Sequence, residues 1–263
     1  MKKILITGAN SYIGMSFEKY MQQWPEDYQV DTVDMIDGSW REKSFAGYDA
    51  VFHVAGIAHQ KETEENAHLY YEVNRDLAVE TAQKAKNDGV GQFVFLSTMA
   101  VYGVEEGEIN HSTETLPKSH YGKAKLEAEQ KIKPLRAETF AVTVLRPPMV
   151  YGEGCKGNYQ SLVKIAKKMP IFPRYQNKRS MISIDRLCQY VKDLIDNRYE
   201  GLLLPQDENY VCTSQMIKEI AEGLGRKMVL VRILNPAVSL AKRFTTAGKK
   251  AFGDLYYERD SYQ

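Results

Sequence analysis

The sequence lacks the features that mark several specialised classes of protein. It has three cysteines in 263 residues, and an odd number at wide spacing (Cys155, Cys188 and Cys212) fits neither a disulfide framework nor a zinc site. No apolar run approaches the roughly 20 residues that a membrane-spanning helix needs. A strand-like pattern begins directly after Met1, which leaves no room for a signal peptide. The chain also lacks a basic surplus, since 35 Lys and Arg face 34 Asp and Glu.

These absences narrow the function. A nucleic-acid-binding protein needs a basic surplus to neutralise phosphates, so we expect no nucleic-acid partner. We expect a cytoplasmic protein without a membrane partner, whose cysteines are small buried hydrophobic side chains in a reducing compartment. Lys242-Arg243 and Lys249-Lys250 form a mild basic cluster near the C-terminus. The favoured interpretation of this cluster is a solvated helix face, and the alternative is contact with a membrane surface.

The five histidines predict no metal site. His53 lies inside a predicted strand, where a packed side chain is more common than a catalytic one. The spacing of the others matches no set of metal ligands: His59, His68, His111 and His120.

What the sequence does contain is a regular alternation of short apolar segments and amphipathic ones. Hydrophobic residues make up 43% of the chain and charged residues 26%, which is ordinary for a globular protein. Continuous apolar runs predict strands that are buried on both faces, and four-residue spacing predicts helices between them. Strands that alternate with helices pair in parallel, so we predict an α/β fold with a Rossmann-type, doubly wound parallel sheet. The predicted strands are 3–7, 30–33, 50–55, 92–97 and 141–146, and the helices are 13–23, 69–87 and 121–135.

The turn from the first strand to the first helix has the composition of a phosphate-binding loop. Gly8 permits a tight turn, and Gly14 allows the helix to pack closely on the strand. The helix N-terminus then offers N–H groups and its positive dipole end to a pyrophosphate. The alternative is a glycine turn without a ligand, since two glycines are a weak signal by themselves. The whole turn reads Thr7-Gly8-Ala9-Asn10-Ser11-Tyr12-Ile13-Gly14.

Asp34 follows the second predicted strand, 26 residues after Gly8. A carboxylate at this position can accept hydrogen bonds from both ribose hydroxyls of an adenosine and would repel a 2′-phosphate, so it favours NAD over NADP. Asp31 and Asp37 lie close enough in sequence to be alternatives, and a solvent-exposed turn aspartate is a further one.

Tyr121 and Lys125 are four residues apart on a predicted helix and therefore share one face. The pKa of an ordinary tyrosine is roughly 10, too high for a base at neutral pH. A lysine ammonium one turn away, together with the positive nicotinamide of a cofactor, favours the phenolate. The pair can then act as a general acid and base beside a hydride carrier, and Lys125 can also hold the nicotinamide ribose.

A hydroxyl pair, Ser97 and Thr98, ends the fourth predicted strand. A hydroxyl there can donate a hydrogen bond to the substrate oxygen that Tyr121 protonates or deprotonates. The alternatives are capping of the strand end and filling of the core.

Taken together, these motifs resemble the extended short-chain dehydrogenase/reductase family, and within it the NAD-dependent nucleotide-sugar epimerases, dehydratases and 4-keto reductases. The resemblance extends from Thr7 to about Tyr257. It rests on the order of its motifs: the glycine turn, His53-Val54-Ala55-Gly56, Asn74, Ser97-Thr98 with Val101-Tyr102-Gly103, Tyr121 with Lys125, Leu145 to Gly152, and Arg179 to Asp185.

The resemblance implies a role for each matching residue. Thr98, Tyr121 and Lys125 would be catalytic. Ser97, Asn158 and Arg179 would contact the substrate. The cofactor would be held by Gly8, Asn10, Ser11, Tyr12, Ile13, Gly14, Asp34, Val54, Ala55, Gly56, Asn74, Lys125, Pro148 and Val150.

The sequence departs from the family pattern at three places. Ser11 replaces the middle glycine of the turn, so its side chain would crowd the pyrophosphate or donate to it. Met99 and Ala100 stand where the dehydratases carry an acidic pair, which argues against dehydration. Met149 stands where the familiar galactose epimerases have asparagine, which makes that substrate less favoured.

The sequence divides at about residue 150, after which prolines and glycines interrupt the alternation. We expect residues 1–150 to form the NAD-binding domain, with residues 182–200 returning to it. The rest of 151–263 would form a small C-terminal substrate-binding lobe.

The resemblance implies an NAD(P)-dependent epimerase or 4-keto reductase that acts on a nucleotide-linked sugar in bacterial surface-polysaccharide synthesis. The same residues serve both reactions, so the sequence does not separate them. NAD is the expected cofactor and NADP the alternative. A homodimer formed through the helices around 74–86 and after Tyr121 is also implied.

Two other functions are weaker. A catalytically silent sensor or scaffold of the same fold would be expected to lose Tyr121 or Lys125, and both are present. A hydrolase with Ser97 as nucleophile would need a glycine-flanked turn around the serine, which is missing.

Overall fold

A computed structural model of the chain describes residues 1–58, 60–110, 112–155 and 157–259, and at Asn158 it describes the backbone alone. The strands are β1 (Lys2–Thr7), β2 (Tyr28–Val33), β3 (Ala50–His53), β4 (Gln92–Leu96), β5 (Gly107–Ile109), β6 (Ala141–Leu145), β7 (Met149–Tyr151), β8 (Ile171–Pro173), β9 (Met181–Ser183), β10 (Gly201–Leu203), β11 (Val229–Val231) and β12 (Leu255–Tyr257).

The α-helices lie between these strands, and shorter helical turns connect several of them. The α-helices are α1 (Tyr12–Met21), α2 (Ala67–Tyr71), α3 (Leu77–Asn87), α4 (His120–Ile132), α5 (Asn158–Lys168), α6 (Ile184–Asp196), α7 (Thr213–Gly223), α8 (Asn235–Phe244) and α9 (Thr246–Phe252). The 3₁₀ turns are Ser39–Arg41, Met99–Tyr102, Lys133–Leu135 and Arg232–Leu234, and a π-helical turn spans Glu72–Asp76.

The chain forms two compact units. The first contains residues 1–103, 115–148 and 183–205, and the second contains 104–114, 149–182 and the residues from 206 onward. The segment 104–114 enters the second unit because β5 pairs with β12. A three-residue strand has no periodicity to read, so the sequence did not indicate this pairing.

The first unit is built on a six-stranded sheet in the order β2-β1-β3-β4-β6-β10. Every neighbouring pair in this sheet is parallel. The predicted α/β fold with a Rossmann-type parallel sheet is therefore confirmed. The strand order reverses between β1 and β3, and ligands of such sheets bind in the crevice beyond the carboxyl ends at that reversal.

Helices pack on both faces of the sheet, because successive side chains of each strand point to opposite faces. On one layer, α3 and α4 contribute small residues such as Ala82 and Ala128 to a core that contains Phe93 and Phe95. On α1, Phe17 packs edge-on against Phe52 of β3, with ring centroids 5.2 Å apart. Burial of each such aromatic side chain contributes about 1.5–3 kcal/mol relative to an exposed one.

The helix predicted over 69–87 exists and begins two residues earlier, at Ala67. It is interrupted by the π-helical turn Glu72–Asp76, which separates α2 from α3. Such turns shift the helix register by one residue and are frequent at functional sites. The turn carries Asn74, whose side chain is fully buried.

The second unit has its own small core and three two-stranded sheets, β5–β12, β7–β9 and β8–β11. The core lies between α5, α7 and the β8–β11 pair. Its buried members are Ala166, Phe172, Ile217, Ala221 and Met228. This part of the chain is therefore more regular than its prolines and glycines suggested.

All three cysteines are free thiols, and two of them are buried as expected. Burial raises the pKa of Cys188 to about 12 and also raises the pKa of Cys155, so both are poor nucleophiles. Cys212 differs from the expectation, since it is half-buried and donates to the carbonyl of Tyr175. Across the described residues, no helix combines the length and the apolar character that crossing a bilayer requires.

Candidate active site

The glycine turn brings the ends of β1 and β3 into close contact. Gly8 has a φ of +109°, and a Cβ at this position would lie 2.8 Å from both N and Cα of Ala55. The N–H groups of Gly8 and Ala9 both donate to the carbonyl of Val33 at the end of β2. The turn therefore requires glycine for its backbone conformation and for the missing side chain.

Ser11 caps the N-terminus of α1. Its hydroxyl accepts a hydrogen bond from the N–H of Gly14 at 3.1 Å. A Cβ on Gly14 would lie 2.6 Å from that hydroxyl and 3.2 Å from Ile6. The departure from the family glycine is thus compatible with the turn, because the serine stabilises the N-terminus of α1. Asn10 is exposed and adopts a left-handed φ of 66°, and the half-buried Tyr12 and Ile13 begin the helix.

The structure separates the three candidate aspartates. Asp31 lies within β2 and accepts from the Tyr48 hydroxyl at 2.9 Å. Asp37 accepts from both the backbone and the hydroxyl of Ser39. Asp34 stands directly after β2 and is exposed, and its Oδ1 accepts from the N–H of Ile36 at 2.9 Å. Asp34 is therefore the candidate that directly follows β2 with an exposed side chain, and its contact with a ribose stays a prediction.

The segment after β3 is held by the buried Asn74. Its Oδ1 accepts from the N–H of Ile57 at 3.1 Å, and its Nδ2 donates to the carbonyl of the same residue at 3.0 Å. A Cβ on Gly56 would lie 2.5 Å from Asn74 Oδ1. Asn74 thus positions the backbone after Val54 and Ala55, whose N–H groups donate to Thr7. A contribution of Asn74 to cofactor binding would act through this segment.

A close approach of α4 to the turn after β4 brings the predicted catalytic residues together. A Cβ on Gly122 would lie 2.8 Å from the carbonyl of Ala100, so no larger residue fits there. Tyr121, which precedes this glycine, is hydrogen-bonded to the Thr98 hydroxyl. Thr98 in turn accepts from the N–H of Ala100 at 3.1 Å. Both side chains are half-buried and can therefore meet a ligand.

Lys125 lies one turn further along α4 and is 4% exposed. Its Nζ donates to the carbonyl of Leu96 at 2.9 Å and lies 4.7 Å from the centroid of the Phe95 ring. A Cβ on Gly56 would lie 3.5 Å from this Nζ, so the ammonium stands beside the segment after β3. Tyr121 and Lys125 thus share one face of the helix, as the spacing predicted.

Burial shifts the pKa values of both Tyr121 and Lys125. Burial raises the pKa of Tyr121, and the hydrogen bond from Thr98 only partly opposes this. Burial also lowers the pKa of Lys125 to about 7, against the charge of Glu129, which raises it. The predicted effect of Lys125 together with a positive nicotinamide on the phenol stays a prediction. The raised pKa keeps the phenol of Tyr121 protonated at neutral pH.

The geometry fits a dinucleotide. Gly8 and Gly56 leave space that a Cβ would fill, the N-terminus of α1 follows the first of them, and Asp34 is exposed at the end of β2. These features lie beyond the carboxyl ends of β1, β2 and β3, around the reversal in strand order. A pyrophosphate at the helix N-terminus and a ribose at Asp34 match this arrangement.

Ser97 is not brought to the same surface as Thr98. Its side chain is 3% exposed, and its hydroxyl donates to Glu129 at 2.5 Å. Consecutive residues at a strand end point to opposite sides, so one hydroxyl meets the crevice and the other meets the core. The predicted substrate contact of Ser97 is therefore wrong, because the residue is buried in a polar network.

Sequence reasoning missed this network. Glu129 is fully buried and accepts two hydrogen bonds from Arg146, at 2.9 and 2.6 Å. Arg146 also donates to the Tyr102 hydroxyl at 2.9 Å. Burial opposes the charge of Arg146, but the hydrogen bonds with Glu129 outweigh it and raise its pKa. Glu129 lies four residues after Lys125, and that spacing was the available signal.

Glu62 is a second residue that the motifs did not reveal. Its two carboxylate oxygens accept from the N–H groups of His120 and Tyr121, at 2.9 and 3.1 Å. Together with the Ser119 cap, it satisfies the first turn of α4. This carboxylate therefore helps to hold Tyr121 in place.

His53 is packed, as the sequence suggested. It is fully buried, its Nδ1 is 2.7 Å from the Thr7 hydroxyl, and its ring stacks on Phe93 and Phe95. Burial, helped by the charge of Lys125, lowers its pKa to about 3, so the ring is neutral. His59 and His111 lie outside the described residues.

The remaining predicted residues lie at the end of the first unit and in the second. Pro148 is buried and ends a segment of the first unit. Val150 lies in β7, and its carbonyl accepts from the thiol of Cys155. Arg179 donates to the carbonyl of Gly253 at 3.1 Å. Burial lowers its pKa. The side chain of Asn158 lies outside the described residues, so its substrate contact stays a prediction.

Comparison with known proteins identifies the family of the chain. The sequence matches the NAD dependent epimerase/dehydratase family over residues 4–172. It is 31% identical over 258 residues to a UDP-glucose 4-epimerase from Vibrio cholerae, covering 86% of this chain and 76% of that protein. It is 24% identical over 254 residues to an N-acetyl-α-D-glucosaminyl-diphospho-ditrans,octacis-undecaprenol 4-epimerase from Escherichia coli O157:H7, covering 89% and 76%.

A solved structure shows the same fold. The UDP-glucuronic acid 4-epimerase from Bacillus cereus, in complex with NAD, superposes with a TM-score of 0.70 at 17% identity. The match covers 95% of this chain and 94% of that one. The family match covers most of the first unit and, together with the 31% identical relative, confirms the resemblance drawn from the motifs. The chain belongs to the NAD dependent epimerase/dehydratase family.

Proposed function

We propose that this protein is an NAD-dependent 4-epimerase of a hexose that is linked through a diphosphate to a carrier, with a nucleotide as the first carrier to test. The observation that carries the proposal is the hydrogen-bonded pair of Thr98 and Tyr121, with Lys125 one turn away, beyond the carboxyl end of β4. Two relatives with related sequences are named as 4-epimerases, one of a UDP-sugar and one of a polyprenyl-linked sugar.

Each residue of the site has a chemical task in this reaction. When bound, NAD supplies the acceptor for a hydride from the sugar carbon. Tyr121 exchanges the proton of the hydroxyl on that carbon, and Thr98 holds the same oxygen by a hydrogen bond. Lys125 contributes positive charge beside both. Met99 and Ala100 follow Thr98 and can neither give nor take a proton, so loss of water from the sugar is not supported.

The neutral phenol of the protein by itself is suited to donate a proton to a ketone. To remove a proton from a sugar hydroxyl, the Tyr121 phenol must first lose its own proton, which requires a lower pKa of Tyr121. The hydrogen bond from Thr98 lowers it, and positive charge near the phenol favours the phenolate further. A one-way 4-keto reductase therefore remains the second candidate, since its only proton transfer runs in the direction that the neutral phenol favours.

An epimerase and a reductase are distinguished by whether the reaction consumes added cofactor. Purified protein is incubated with UDP-glucose and with UDP-galactose, without added cofactor, and the products are separated by chromatography. Interconversion of the two sugars supports the epimerase. Stoichiometric oxidation of added NADH with a 4-keto sugar, without interconversion, supports the reductase. Neither activity, with properly folded protein, contradicts both.

Asp34 is expected to set the preference between NAD and NADP. Asp34→Ala removes a charged acceptor of ribose hydrogen bonds, which is worth about 1.5–3 kcal/mol, so NAD should bind roughly 10- to 100-fold more weakly. Binding of NADP should be unchanged or stronger, because the repulsion of its 2′-phosphate is lost. Calorimetric titration of both dinucleotides measures this.

Asp37→Ala is the matched control. The carboxylate of Asp37 is occupied by Ser39, so its loss should leave both affinities within about two-fold. Equal effects of the two substitutions, or an effect at Asp37 alone, would show that Asp34 does not meet the ribose.

The homodimer stays part of this proposal. The implied homodimer would use α3 and α4, and on these helices Ala78 and Ile132 are buried in the core of the first unit. Leu77 is half-buried and packs against the same core, and Leu126 is half-buried. An interface on these helices would therefore use their polar and half-buried positions.

A further inference from the structure

Helix α8 of the second unit presents apolar side chains to solvent. Leu240 is 62% and Phe244 is 70% exposed, and Ile233 in the preceding 3₁₀ turn is 85% exposed. Leu240 and Phe244 are four residues apart and therefore share one face of the helix. Val238, on the opposite face, is buried and attaches the helix to its unit. The amphipathic helix is thus seated with part of its apolar surface facing outward.

The surrounding sequence is strongly basic. Residues 224–253 contain seven Lys and Arg and no Asp or Glu, although the whole chain carries a net charge of only +1. The rest of the chain is therefore net acidic. Within the part of the chain that the structure describes, Lys242 forms an ion pair, with Glu106 at 2.9 Å. Arg232 and Arg243 are exposed, and the guanidinium of Arg243 lies over the ring of Phe244.

We propose that the α8 patch, which we define as Arg232, Ile233, Leu240, Arg243 and Phe244, docks on the surface of an anionic phospholipid bilayer. The three apolar side chains would enter the interface between headgroups and acyl chains, and the arginines would contact lipid phosphates. Helices that lie on membranes combine Leu and Phe on one side with Lys and Arg beside them in this way. Exposed clusters of large apolar residues are uncommon on monomeric proteins and mark contact surfaces.

Charge and apolar character together favour a lipid surface over other partners. A nucleic-acid-binding surface uses basic side chains and aromatic rings that stack on bases, whereas Ile233 and Leu240 carry neither a charge nor an aromatic ring. Contact between two copies of the patch would bring like charges together, which is unfavourable. The sequence alone favoured a solvated helix face for Lys242-Arg243, because it did not show that Leu240 and Phe244 also face outward.

The proposal goes beyond the sugar chemistry and stands without it. If the sugar is carried on a polyprenyl diphosphate, which is held in a bilayer, docking would bring the protein to its substrate. A single short helix with a few basic residues gives weak, reversible attachment, so we expect exchange between membrane and solution.

The test is flotation of the full-length protein with vesicles of phosphatidylcholine and phosphatidylglycerol in equal parts, and with vesicles of phosphatidylcholine alone. The protein should float with the anionic vesicles, less with the neutral ones, and less again as salt is raised. The double substitution Leu240→Ser and Phe244→Ser should weaken partition to anionic vesicles by roughly 10- to 100-fold.

Two substitutions elsewhere on the surface serve as controls. Leu116→Ser replaces a side chain that is 61% exposed, which matches Leu240, and should leave flotation unchanged. Arg243→Glu should reduce flotation with anionic vesicles, whereas Lys43→Glu makes the same change of charge at another exposed position and should have no comparable effect.

Several outcomes would overturn the proposal. These are flotation that is absent, flotation that the double substitution leaves unchanged, and binding of a single-stranded oligonucleotide without binding of vesicles. A lipid-free dimer that the double substitution converts to monomer, measured by light scattering, would make the patch an interface between copies. Activity toward UDP-sugars is measured separately, so failure of the epimerase proposal would be recognised independently.

Discussion

Tyr121→Phe is expected to lower the turnover of a sugar substrate by about 10²- to 10⁴-fold, the range for loss of a positioned acid or base. The substitution removes one hydroxyl, together with its hydrogen bond to Thr98, and leaves the aromatic ring in place. The affinity for NAD should change little, because in the proposed reaction the phenol contacts the sugar oxygen. Rates with UDP-sugars and calorimetric binding of NAD measure the two quantities.

Tyr48→Phe is the matched control for this result. The Tyr48 hydroxyl donates to Asp31 within the same unit, so its loss should leave turnover within about two-fold. If Tyr121→Phe retained full activity, the proton would have to be transferred by another group, and the silent sensor or scaffold would become the better description. If both variants lost activity equally, the effect would be on folding.

Glu129→Gln is expected to have the largest effect on stability. The carboxylate is fully buried and accepts from Arg146 twice and from Ser97 once. Its neutralisation leaves the Arg146 guanidinium in the core without a counter-charge, which costs about 3–5 kcal/mol of the free energy of unfolding. Urea unfolding of the variant and of the unaltered protein measures this difference.

Glu127→Gln is the control on the same helix. Glu127 pairs with Arg75 at 2.8 Å but is 40% exposed, so its loss should cost less than about 1 kcal/mol. Similar losses at the two positions would show that the network around Glu129 contributes no more than a surface ion pair.

Glu129→Gln should also change the pH dependence of the reaction rate. Burial lowers the pKa of Lys125 to about 7, even though the charge of Glu129 opposes this shift. Without that charge the pKa of Lys125 falls further, and the lysine loses its proton at lower pH. If the reaction needs the ammonium, the alkaline limb of the pH–rate profile should shift to lower pH in Glu129→Gln. An unshifted profile with reduced stability would assign Glu129 a purely structural role.

Local patterns were sufficient for the fold and for placing part of the candidate site. Buried parallel strands read as continuous apolar runs, so β1, β3, β4 and β6 could be placed from the sequence. The spacing of Tyr121 and Lys125 was enough to put both on one face of α4, because helix periodicity is a local property. The glycine turn was recognisable for a similar reason, since it lies between a strand and a helix that are adjacent in the chain.

Other assignments depended on which groups meet across the fold. The local sequence does not distinguish the roles of Ser97 and Thr98. Ser97 is hydrogen-bonded to the buried Glu129, whereas Thr98 is hydrogen-bonded to Tyr121. Asn74 was expected to bind the cofactor, and its side-chain amide is hydrogen-bonded to the backbone of Ile57. The pKa of Tyr121 was expected to fall, and burial raises it. Each of these depends on burial and on partners distant in sequence.

Chain-local rules thus specified the alternation of strands and helices, the glycine turn and the shared face of Tyr121 and Lys125, since each is set by neighbours within a few residues. Assembly of the units specified the rest. Arg146 and Ser97 are hydrogen-bonded to Glu129, from which they are 17 and 32 residues distant in the sequence. The packing of the second unit leaves Leu240 and Phe244 exposed to solvent. Burial and charge interactions depend on distances in space, which no spacing along the chain encodes.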